Sequence, residues 1–307
     1  MQLLDTHLYE SGLPDDLRHL INYISRAGKY IQHAIKTGDL GLAGTSNLFG
    51  ENQLALDVLS DKIIEENLMI CRLVNSTISE EKDEIVKCKV DGDACQAPYS
   101  VAYDPLDGSS LVDANLSIGS IFSIMKGKGF IGKTGRDQVA ALFIVYGPRT
   151  TLLYSAGKGV HEFTLNDVGE FQLSKENLTI KETASHFAPG NLRACTTDQK
   201  YKALMDDYME NQYTLRYSGG MVPDINHMFS KGEGIFMYPA NPPKNPNGKL
   251  RLLFECNPFA YLVEQAGGAS SNGEKSILDI EIKELHQQTP IFVGSKKEVE
   301  KVVEKLK

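Results

Sequence analysis

The apolar positions near the amino terminus predict helices. Residues at the three- and four-residue spacing of one helix face follow a Pro14-Asp15-Asp16 start, with Gly38 as the predicted stop: Leu20, Ile21, Ile24, Ala27, Ile31 and Ile35. A second helix is predicted over residues 51–67. Its Asp57 and Asp61 share a face, where like charges repel mildly, so these side chains are expected to be either solvated or drawn to a cation. Solvation is the favoured alternative for Asp61.

The middle of the chain changes to short strand-like runs separated by turn residues. Strands are predicted over residues 99–103, 117–125, 139–146, 151–155, 160–165 and 170–173. Short consecutive strands joined by tight turns are typical of an antiparallel sheet. The first half of the chain is therefore expected to contain mainly antiparallel sheet.

The second half alternates strand and helix signals. A connector near residue 185 predicts two domains, 1–185 and 186–307. A helix is predicted over residues 258–266, a strand over 290–294, and a final helix that Ser295 and Glu298 open as a capping box. The fold class is α+β.

Composition and charge narrow the classes of partner. A chain of 307 residues has room for two domains. Its net charge of −8, without a basic tract, disfavours nucleic acid as a partner. No amino-terminal targeting pattern or apolar run of roughly 18 residues is present, which indicates a cytoplasmic protein without a membrane segment.

The segment Asp104-Pro105-Leu106-Asp107-Gly108-Ser109-Ser110 is the strongest candidate for chemistry. Two aspartates three residues apart across a turn can converge on one hard cation. The Gly-Ser-Ser that follows can present backbone N–H groups to a phosphate. The alternative is an ordinary surface turn, because Asp-Pro and Asp-Gly are common turn formers.

Two further acidic segments have an ordinary alternative each. An acidic cluster over residues 79–84 contains Glu80 and Glu81, and its alternative is a solvated loop. Glu255 precedes a predicted helix, where a carboxylate also stabilises the helix N-terminus.

Taken together and in order, these segments resemble one family. The blocks are Leu56-Asp57-Val58-Leu59-Ser60, Ser79-Glu80-Glu81, the Asp104–Ser110 segment, residues 234–241 and residues 247–258. They resemble the class I fructose-1,6-bisphosphatases and the related sedoheptulose-1,7-bisphosphatases, over residues 44–294. The resemblance implies a layered α/β/α/β/α sugar-phosphatase fold, with mainly antiparallel sheet in the first half and a mixed sheet in the second. It also implies a homo-oligomer, a dimer or a tetramer.

The resemblance further implies a metal-dependent phosphatase site in the first domain. Two to three Mg²⁺ ions, with Mn²⁺ as a substitute, are expected on Glu80, Asp104, Asp107, Glu255 and the carbonyl of Leu106. Glu81 and Asp57 are expected to help deprotonate the attacking water. Asp107 and the turn Gly108, Ser109 and Ser110 are expected to hold the phosphate of the substrate, a small sugar bisphosphate.

The rest of the sugar bisphosphate is expected to bind to the second domain. By resemblance, Lys249, Tyr217 and Tyr238 bind the sugar phosphate, Arg216 comes from a neighbouring subunit, and Gly219, Gly220 and Met221 form a wall against the sugar. The alternatives are a Tyr238 packed beside Pro239 and an Arg216 that is a surface charge. The stretch 194–199 around Thr196 lacks the Asn and Tyr of the family's distal-phosphate site, so half of that pocket has no predicted residues.

Alternatives to the fructose substrate stay open. Residues 146–151, 189–194 and 213–224 look more like the sedoheptulose branch, which makes dual specificity a hypothesis. An inositol-monophosphatase-like enzyme is less favoured because of the segment 247–253 and the tyrosines of the distal pocket. A non-catalytic sugar-phosphate sensor is less favoured because all the expected metal ligands are present.

Overall fold

The first half of the molecule is built on one large sheet. The computed structural model describes residues 2–37, 42–46, 52–90 and 93–307. The helices of the first half are α1 (Leu4–Glu10), α2 (Asp15–Thr37) and α3 (Ala55–Cys71). Its strands are β1 (Leu42–Ser46), β2 (Asn52–Leu54), β3 (Val74–Ser79), β4 (Val86–Lys87), β5 (Lys89–Val90), β6 (Asp93–Ala94), β7 (Tyr99–Asp107), β8 (Ile118–Lys126), β9 (Gln138–Tyr146), β10 (Thr150–Ser155), β11 (His161–Leu165) and β12 (Phe171–Lys175).

Eight of these strands form the large sheet, in the order β12-β11-β10-β9-β8-β7-β3-β4. Strands β3 and β7 run parallel, and the other neighbouring pairs of this sheet are antiparallel. The predicted antiparallel character of the first half is confirmed.

The second half is built on a smaller, mixed sheet. Its elements are β13 (His186–Pro189), α4 (Gln199–Glu210), β14 (Thr214–Leu215), α5 (Met221–Lys231), β15 (Ile235–Tyr238), α6 (Asn257–Gln265), β16 (Ala269–Ser271), β17 (Ile291–Gly294) and α7 (Lys296–Leu306). A single π-helical turn, Leu252–Cys256, leads directly into α6. The strand order is β14-β13-β15-β17-β16, with β13 parallel to both of its neighbours and β17 antiparallel to both of its own.

Three apolar cores lie between the layers of the fold. Each sheet contributes to the cores on both of its sides, because side chains alternate between the two faces of a strand. Val101 and Tyr103 of β7 pack with helices α1 to α3 on the outer face. Ala102, on the opposite face, belongs to a core with α5, α6 and one face of the small sheet. The other face of the small sheet, including Ile235 and Met237, packs against α4 and α7. The α/β/α/β/α layering is therefore confirmed.

The predicted helices are present, with one displacement. Helix α2 buries the predicted apolar face, and its predicted stop, Gly38, lies outside the described residues. Helix α3 covers Ala55–Cys71 instead of 51–67, and residue 51 is also outside the described part of the chain. The displacement has a structural cause, since residues 52–54 pair with β1 as a strand and the helix begins only after that pairing.

All six strands predicted between residues 99 and 173 are present, as β7 to β12. Strand β7 runs beyond its predicted end at residue 103 to Asp107, with a register shift between Asp104 and Asp107 against β8. Such an irregularity bends a strand and redirects its side chains. Pro105 therefore lies inside an irregular strand end and does not terminate the strand.

Two predictions for individual polar residues are wrong. Asp61 is buried, at 8% exposure, and its carboxylate accepts a hydrogen bond from the Tyr103 hydroxyl at 2.9 Å and pairs with Lys82 Nζ at 2.9 Å. Solvation is therefore replaced by partners from β7 and from the loop after β3.

The capping box before α7 is also absent, although the helix itself is confirmed. Ser295 Oγ makes no cap hydrogen bond to α7 and instead accepts one from the Gly234 N–H at 3.2 Å. Glu298 accepts hydrogen bonds from the hydroxyls of Tyr208 at 3.3 Å and Tyr213 at 3.0 Å. Both side chains are thus committed to the small sheet and to α4.

No helix in the described ranges is long and apolar enough to cross a membrane.

Candidate active site

A cavity of about 420 Å³ lies where the end of β7 meets the π-helical turn and the start of α5. Sixteen of the seventeen residues predicted for the site contribute to its lining, and only Arg216 does not. The sixteen are Asp57, Glu80, Glu81, Asp104, Leu106, Asp107, Gly108, Ser109, Ser110, Tyr217, Gly219, Gly220, Met221, Tyr238, Lys249 and Glu255. The structure thus brings together residues from both halves of the chain.

Three carboxylates from separate elements converge at one end of the cavity. Glu80 follows β3, Asp104 lies in β7 and Glu255 lies in the π-helical turn, and one oxygen of each lies within 4.8 Å of those of the other two. Asp104 is 6% and Glu255 3% exposed. Backbone N–H groups orient both, with Leu106 N 2.9 Å from Asp104 Oδ1 and Arg251 N 2.6 Å from Glu255 Oε2.

This cluster of carboxylates is electrostatically costly in the isolated chain. Burial raises the pKa of Asp104 well above its usual value, and the nearby charge of Glu80 raises it further. Burial also raises the pKa of Glu255 well above its usual value. Burial raises the pKa of Asp107 to about 7, although a hydrogen bond from the Val222 N–H at 2.7 Å opposes the shift. Positive charge beside the cluster would therefore stabilise it.

Arg251, for which the sequence alone predicted no role, supplies part of that positive charge. Its guanidinium lies 2.6 Å from Glu80 Oε1, and the residue is 6% exposed. A charged residue inside the apolar run 250–254 is a signal of a buried partner, since arginine is rarely buried without one. That signal could have identified Arg251, but it names no partner.

The donor set at this end fits a hard divalent cation. Carboxylate oxygens are the ligands that Mg²⁺ prefers in proteins. Glu80 Oε2 is buried and accepts no hydrogen bond from any described residue, so one oxygen of the cluster has unused capacity. Asp57, at 4% exposure in the first turn of α3, and Glu81 also line this cavity.

The turn after β7 faces the amino-terminal end of α5. Gly108 has a φ of 79°, in the left-handed region that favours glycine. A Cβ at Gly108 would lie 3.3 Å from Leu111 Cδ1 and 3.6 Å from Gly220 Cα, which is close contact. Ser109 and Ser110 open a short 3-10 helix beside the carboxylates. Helix N-termini and glycine turns of this kind favour anions.

Asp107 joins the turn to α5. Its carboxylate accepts the hydrogen bond of Val222, in the first turn of that helix, and thereby holds Gly219, Gly220 and Met221 against the cavity. Asp224, two residues after Val222 in α5, also lines the cavity and was not predicted. Burial raises the pKa of Asp224 to about 6. An aspartate in the first turn of a helix is usually a helix stabiliser, so the sequence offered no specific signal for it.

The opposite end of the cavity has a different character. Tyr238, at the end of β15, and Lys249 line it, together with Tyr217, which is 59% exposed. Burial raises the pKa of Tyr238, while the positive charge of Lys249 opposes the shift. Arg216 is exposed and lies at a separate small cavity beside His186 and Glu233.

Comparisons with known proteins agree with this arrangement. The model of the fructose-1-6-bisphosphatase N-terminal domain matches residues 3–176, and that of the C-terminal domain matches residues 180–307. A class 1 fructose-1,6-bisphosphatase of Geobacter metallireducens is 53% identical over 305 residues, covering 98% of this chain and 94% of the relative.

Two further relatives represent the sedoheptulose branch and the solved structures. The chloroplastic sedoheptulose-1,7-bisphosphatase of Spinacia oleracea is 42% identical over 298 residues, covering 96% of this chain and 76% of the relative. A crystal structure of Leishmania major fructose-1,6-bisphosphatase in holo form has a TM-score of 0.92 and 31% identity, covering 99% of this chain and 98% of that one. With both domain models matched in order and relatives alike over almost the full length, the chain belongs to the fructose-1,6-bisphosphatase family.

Proposed function

We propose that the protein is a phosphoric monoester hydrolase that removes the 1-phosphate of fructose 1,6-bisphosphate, giving fructose 6-phosphate and inorganic phosphate. The observation that carries this proposal is the convergence of Glu80, Asp104 and Glu255 beside the Gly108 turn. Phosphoryl transfer needs positioning and charge neutralisation more than covalent chemistry.

The carboxylate end fits the ions expected from the sequence. Two to three Mg²⁺ ions, or Mn²⁺ in their place, would be held by Glu80, Asp104, Asp107, Glu255 and the carbonyl of Leu106. When bound, such ions neutralise charge on the phosphoryl group and on the departing sugar oxygen. Their positive charge would also relieve the repulsion that raises the pKa values of this cluster.

The remaining residues of the cavity bind and orient the substrate and move a proton. The turn Gly108 to Ser110 would hold the 1-phosphate. Asp57 and Glu81 would accept the proton of the attacking water as its oxygen bonds to phosphorus and the bond from phosphorus to the sugar oxygen breaks. Tyr217, Tyr238 and Lys249, at the other end, would donate hydrogen bonds to the sugar phosphate.

Phosphate release tests this proposal directly. We expect release from fructose 1,6-bisphosphate with Mg²⁺ or Mn²⁺, none with EDTA, and none from fructose 6-phosphate. An absence of release with every divalent cation tried would favour the non-catalytic sensor. Preference for inositol monophosphate would favour the inositol-monophosphatase-like alternative.

A sedoheptulose-1,7-bisphosphatase activity is the second candidate. The 42% identity to the spinach enzyme and the segments noted in the sequence favour it. Comparing kcat/KM for the two sugar bisphosphates decides between single and dual specificity. No detectable release from sedoheptulose 1,7-bisphosphate would remove this candidate.

The position of Arg216 bears on assembly. It is exposed and does not line the large cavity of its own chain. We therefore retain the expectation of a homo-oligomer, in which Arg216 reaches the site of a neighbouring subunit. Light scattering coupled to size exclusion tests this, because a monomer with full activity would contradict it. The boundary at residue 185 between domains 1–185 and 186–307 stays a prediction.

A further inference from the structure

A cluster of two histidines and a glutamate lies where α1 packs against the large sheet. His7 belongs to α1, His161 begins β11 and Glu176 follows β12. One nitrogen of each imidazole and one carboxylate oxygen of Glu176 lie within 4.8 Å of one another. None of the three is among the described residues that line the large cavity, so the cluster is separate from the candidate active site.

We propose that His7, His161 and Glu176 form a second metal site, which takes a divalent transition-metal ion of the Zn²⁺ type and fastens α1 to the large sheet. Imidazole nitrogen suits Zn²⁺, whereas Mg²⁺ takes oxygen ligands. Two histidines and one glutamate are a donor set that Zn²⁺ uses in proteins, with water in the fourth position. The inference goes beyond the proposed function and does not rest on it.

Strand pairing and the docking of α1 bring the three residues together. In the antiparallel pair of β10 and β11, Tyr154 lies opposite His161, so their side chains share one face of the sheet. Strands β11 and β12 are also antiparallel neighbours, so Glu176, just after β12, lies at the end of the sheet where β11 begins. The Leu173 N–H donates to the Gln2 carbonyl at 2.9 Å, which holds the chain before α1 against β12.

Hydrogen bonds from outside the cluster orient both imidazoles. His7 Nδ1 lies 2.7 Å from the Tyr154 hydroxyl, and His161 Nε2 donates to the Lys158 carbonyl at 3.0 Å. Histidines that bind a metal ion with one nitrogen usually use the other for such a partner. His161 Nδ1 then carries the lone pair, and the Asn177 N–H contacts it at a long distance of 3.4 Å. This hydrogen bonding leaves His7 Nε2 and His161 Nδ1 as the nitrogens for an ion.

The two imidazoles are buried, whereas the carboxylate reaches solvent. His7 is 4% and His161 6% exposed, and the centre of the His7 ring lies 5.3 Å from that of Phe163. The side chain of Glu176 is 57% exposed. The site therefore combines a rigid, partly apolar wall with a path by which an ion can enter.

A metal ion accounts for the spacing of the group better than a direct ion pair. His7 Nε2 and Glu176 Oε1 are 3.7 Å apart, beyond hydrogen-bond distance. Bonds of about 2.0–2.2 Å from Zn²⁺ to nitrogen and to oxygen would span that gap. Burial and the nearby His161 lower the pKa of His7, whereas the negative charges of Glu176 and Glu10 act in the opposite direction. A cation in the cluster would interact favourably with both carboxylates.

The position of the site suggests what the ion does. Helix α1 has seven residues, and a helix of this length depends on tertiary contacts for its stability. An ion held by α1, β11 and the residue after β12 would join three elements at one point. Bound Zn²⁺ should therefore stabilise the amino-terminal part of the fold without touching the substrate.

Zn²⁺ binding by the full-length wild type and two variants tests the inference. The proteins are loaded with Zn²⁺ in excess Mg²⁺, passed through gel filtration and analysed for metal by mass spectrometry. We expect the wild type to carry one Zn²⁺ per chain more than Glu176→Gln or His161→Gln. Each lost ligand should weaken the Zn²⁺ affinity at least 10- to 100-fold, which is the cost of losing an outer partner alone. The acidic cavity is the same in all three proteins, so its own Zn²⁺ binding cancels.

Melting temperatures and matched variants provide the second readout. With free Zn²⁺ about a hundredfold above Kd, the melting temperature of the wild type should rise by about 5 °C more than that of Glu176→Gln. Tyr154→Phe keeps all three ligands and removes the hydroxyl beside His7, so its Zn²⁺ affinity should fall about 10- to 100-fold. His33→Gln removes an exposed histidine from α2 and should bind Zn²⁺ as the wild type does.

The outcomes separate this inference from the proposed function. Equal Zn²⁺ content and affinity in the wild type and Glu176→Gln would overturn the inference, and this comparison stands even if His161→Gln fails to fold, because Glu176 is exposed. Stabilisation by Mg²⁺ that equals that by Zn²⁺ and depends on Glu176 would also overturn it, since it would leave no role for the imidazoles. A wild type that carries the additional Zn²⁺ but releases no phosphate from any bisphosphate would support this inference and refute the proposed function alone.

Discussion

The large cavity adjoins a second one of about 360 Å³, which Arg193 and Lys244 line. The acidic end of the first cavity and this cationic end differ in how their charged side chains are held in place. The carboxylates Asp104 and Glu255 are buried and fixed by backbone N–H groups, while Arg193 and Lys244 are exposed and lie on segments that follow strands. Burying charge costs folding free energy, whereas exposed cations cost little. The acidic end thus fixes the positions of its carboxylates at a cost in folding free energy. The cationic end can change its ligand contacts without disturbing the core.

The largest effect should come from removing one carboxylate of the acidic end. Asp104→Asn should lower kcat/KM for the bisphosphate by about a thousandfold or more, because a metal ion supplies several kcal/mol of charge stabilisation. The matched control is Asp113→Asn, which changes an exposed aspartate on the same cavity. Steady-state phosphate release measures both, and equal losses would contradict the distinction between buried and exposed carboxylates.

The next effect concerns stability. Arg251→Met removes the cation that pairs with Glu80, and breaking a buried ion pair costs about 3–5 kcal/mol in free energy of unfolding. Mg²⁺ should restore part of that loss, since added positive charge replaces the guanidinium. Urea unfolding in EDTA and in Mg²⁺ measures this.

Lys249→Met provides the comparison for Arg251→Met. It removes an exposed cation that lines both cavities, and a surface charge of this kind changes the free energy of unfolding by about 0.5 kcal/mol or less. Similar destabilisation by the two substitutions would show that burial does not distinguish the two ends.

The pH dependence of metal-free stability should be unusual in sign. The pKa of Asp107 is raised from 3.8 to about 7, so the folded state binds more protons than the unfolded state between these values. Metal-free protein should therefore lose stability as the pH rises from about 4 to about 7. Mg²⁺ should raise the melting temperature more at pH 8 than at pH 5.5, because its ligands must be deprotonated. A melting temperature in EDTA that rises between pH 4 and pH 7 would contradict a raised pKa at Asp107.

A smaller effect, confined to substrate binding, should come from the contact between the segments that follow β13 and β15. Gly190→Ala forces the Tyr238 ring away from its position, since the added Cβ would lie 2.5 Å from a ring carbon. We expect KM for the bisphosphate to rise about tenfold with kcat nearly unchanged, as for misplaced groups that only bind. Gly169→Ala is a control at an open turn, where no atom lies within 4 Å of the added Cβ. Because Gly169 has a φ of 83°, its cost should appear in stability and not in KM.

The local pattern of apolar and polar residues was enough to predict most helices and strands. The helical period of α2 and the short apolar runs of β7 to β12 depend on neighbours within a few residues, and these elements are present as predicted. The family motifs also placed their residues around one cavity. Helix α3 was displaced because residues 52–54 pair with another strand, which no local period reveals.

Partners remote in sequence explain what the pattern missed. The sequence predicted a solvated carboxylate at Asp61 and a helix cap at Glu298. In the structure, tyrosine hydroxyls that are remote in sequence donate hydrogen bonds to both side chains. Arg251 and Arg193 carried no role until the structure placed one against Glu80 and the other beside Tyr238.

By itself the sequence determined most of the helices and strands, and it named the acidic and glycine-rich segments that line the large cavity, because these depend on short-range periodicity and on residue type. Tertiary structure alone decided which charges are buried together, which are paired, and that a cationic cavity adjoins the acidic one. The physical reason is that desolvation and Coulomb interaction depend on distances between groups that are far apart along the chain.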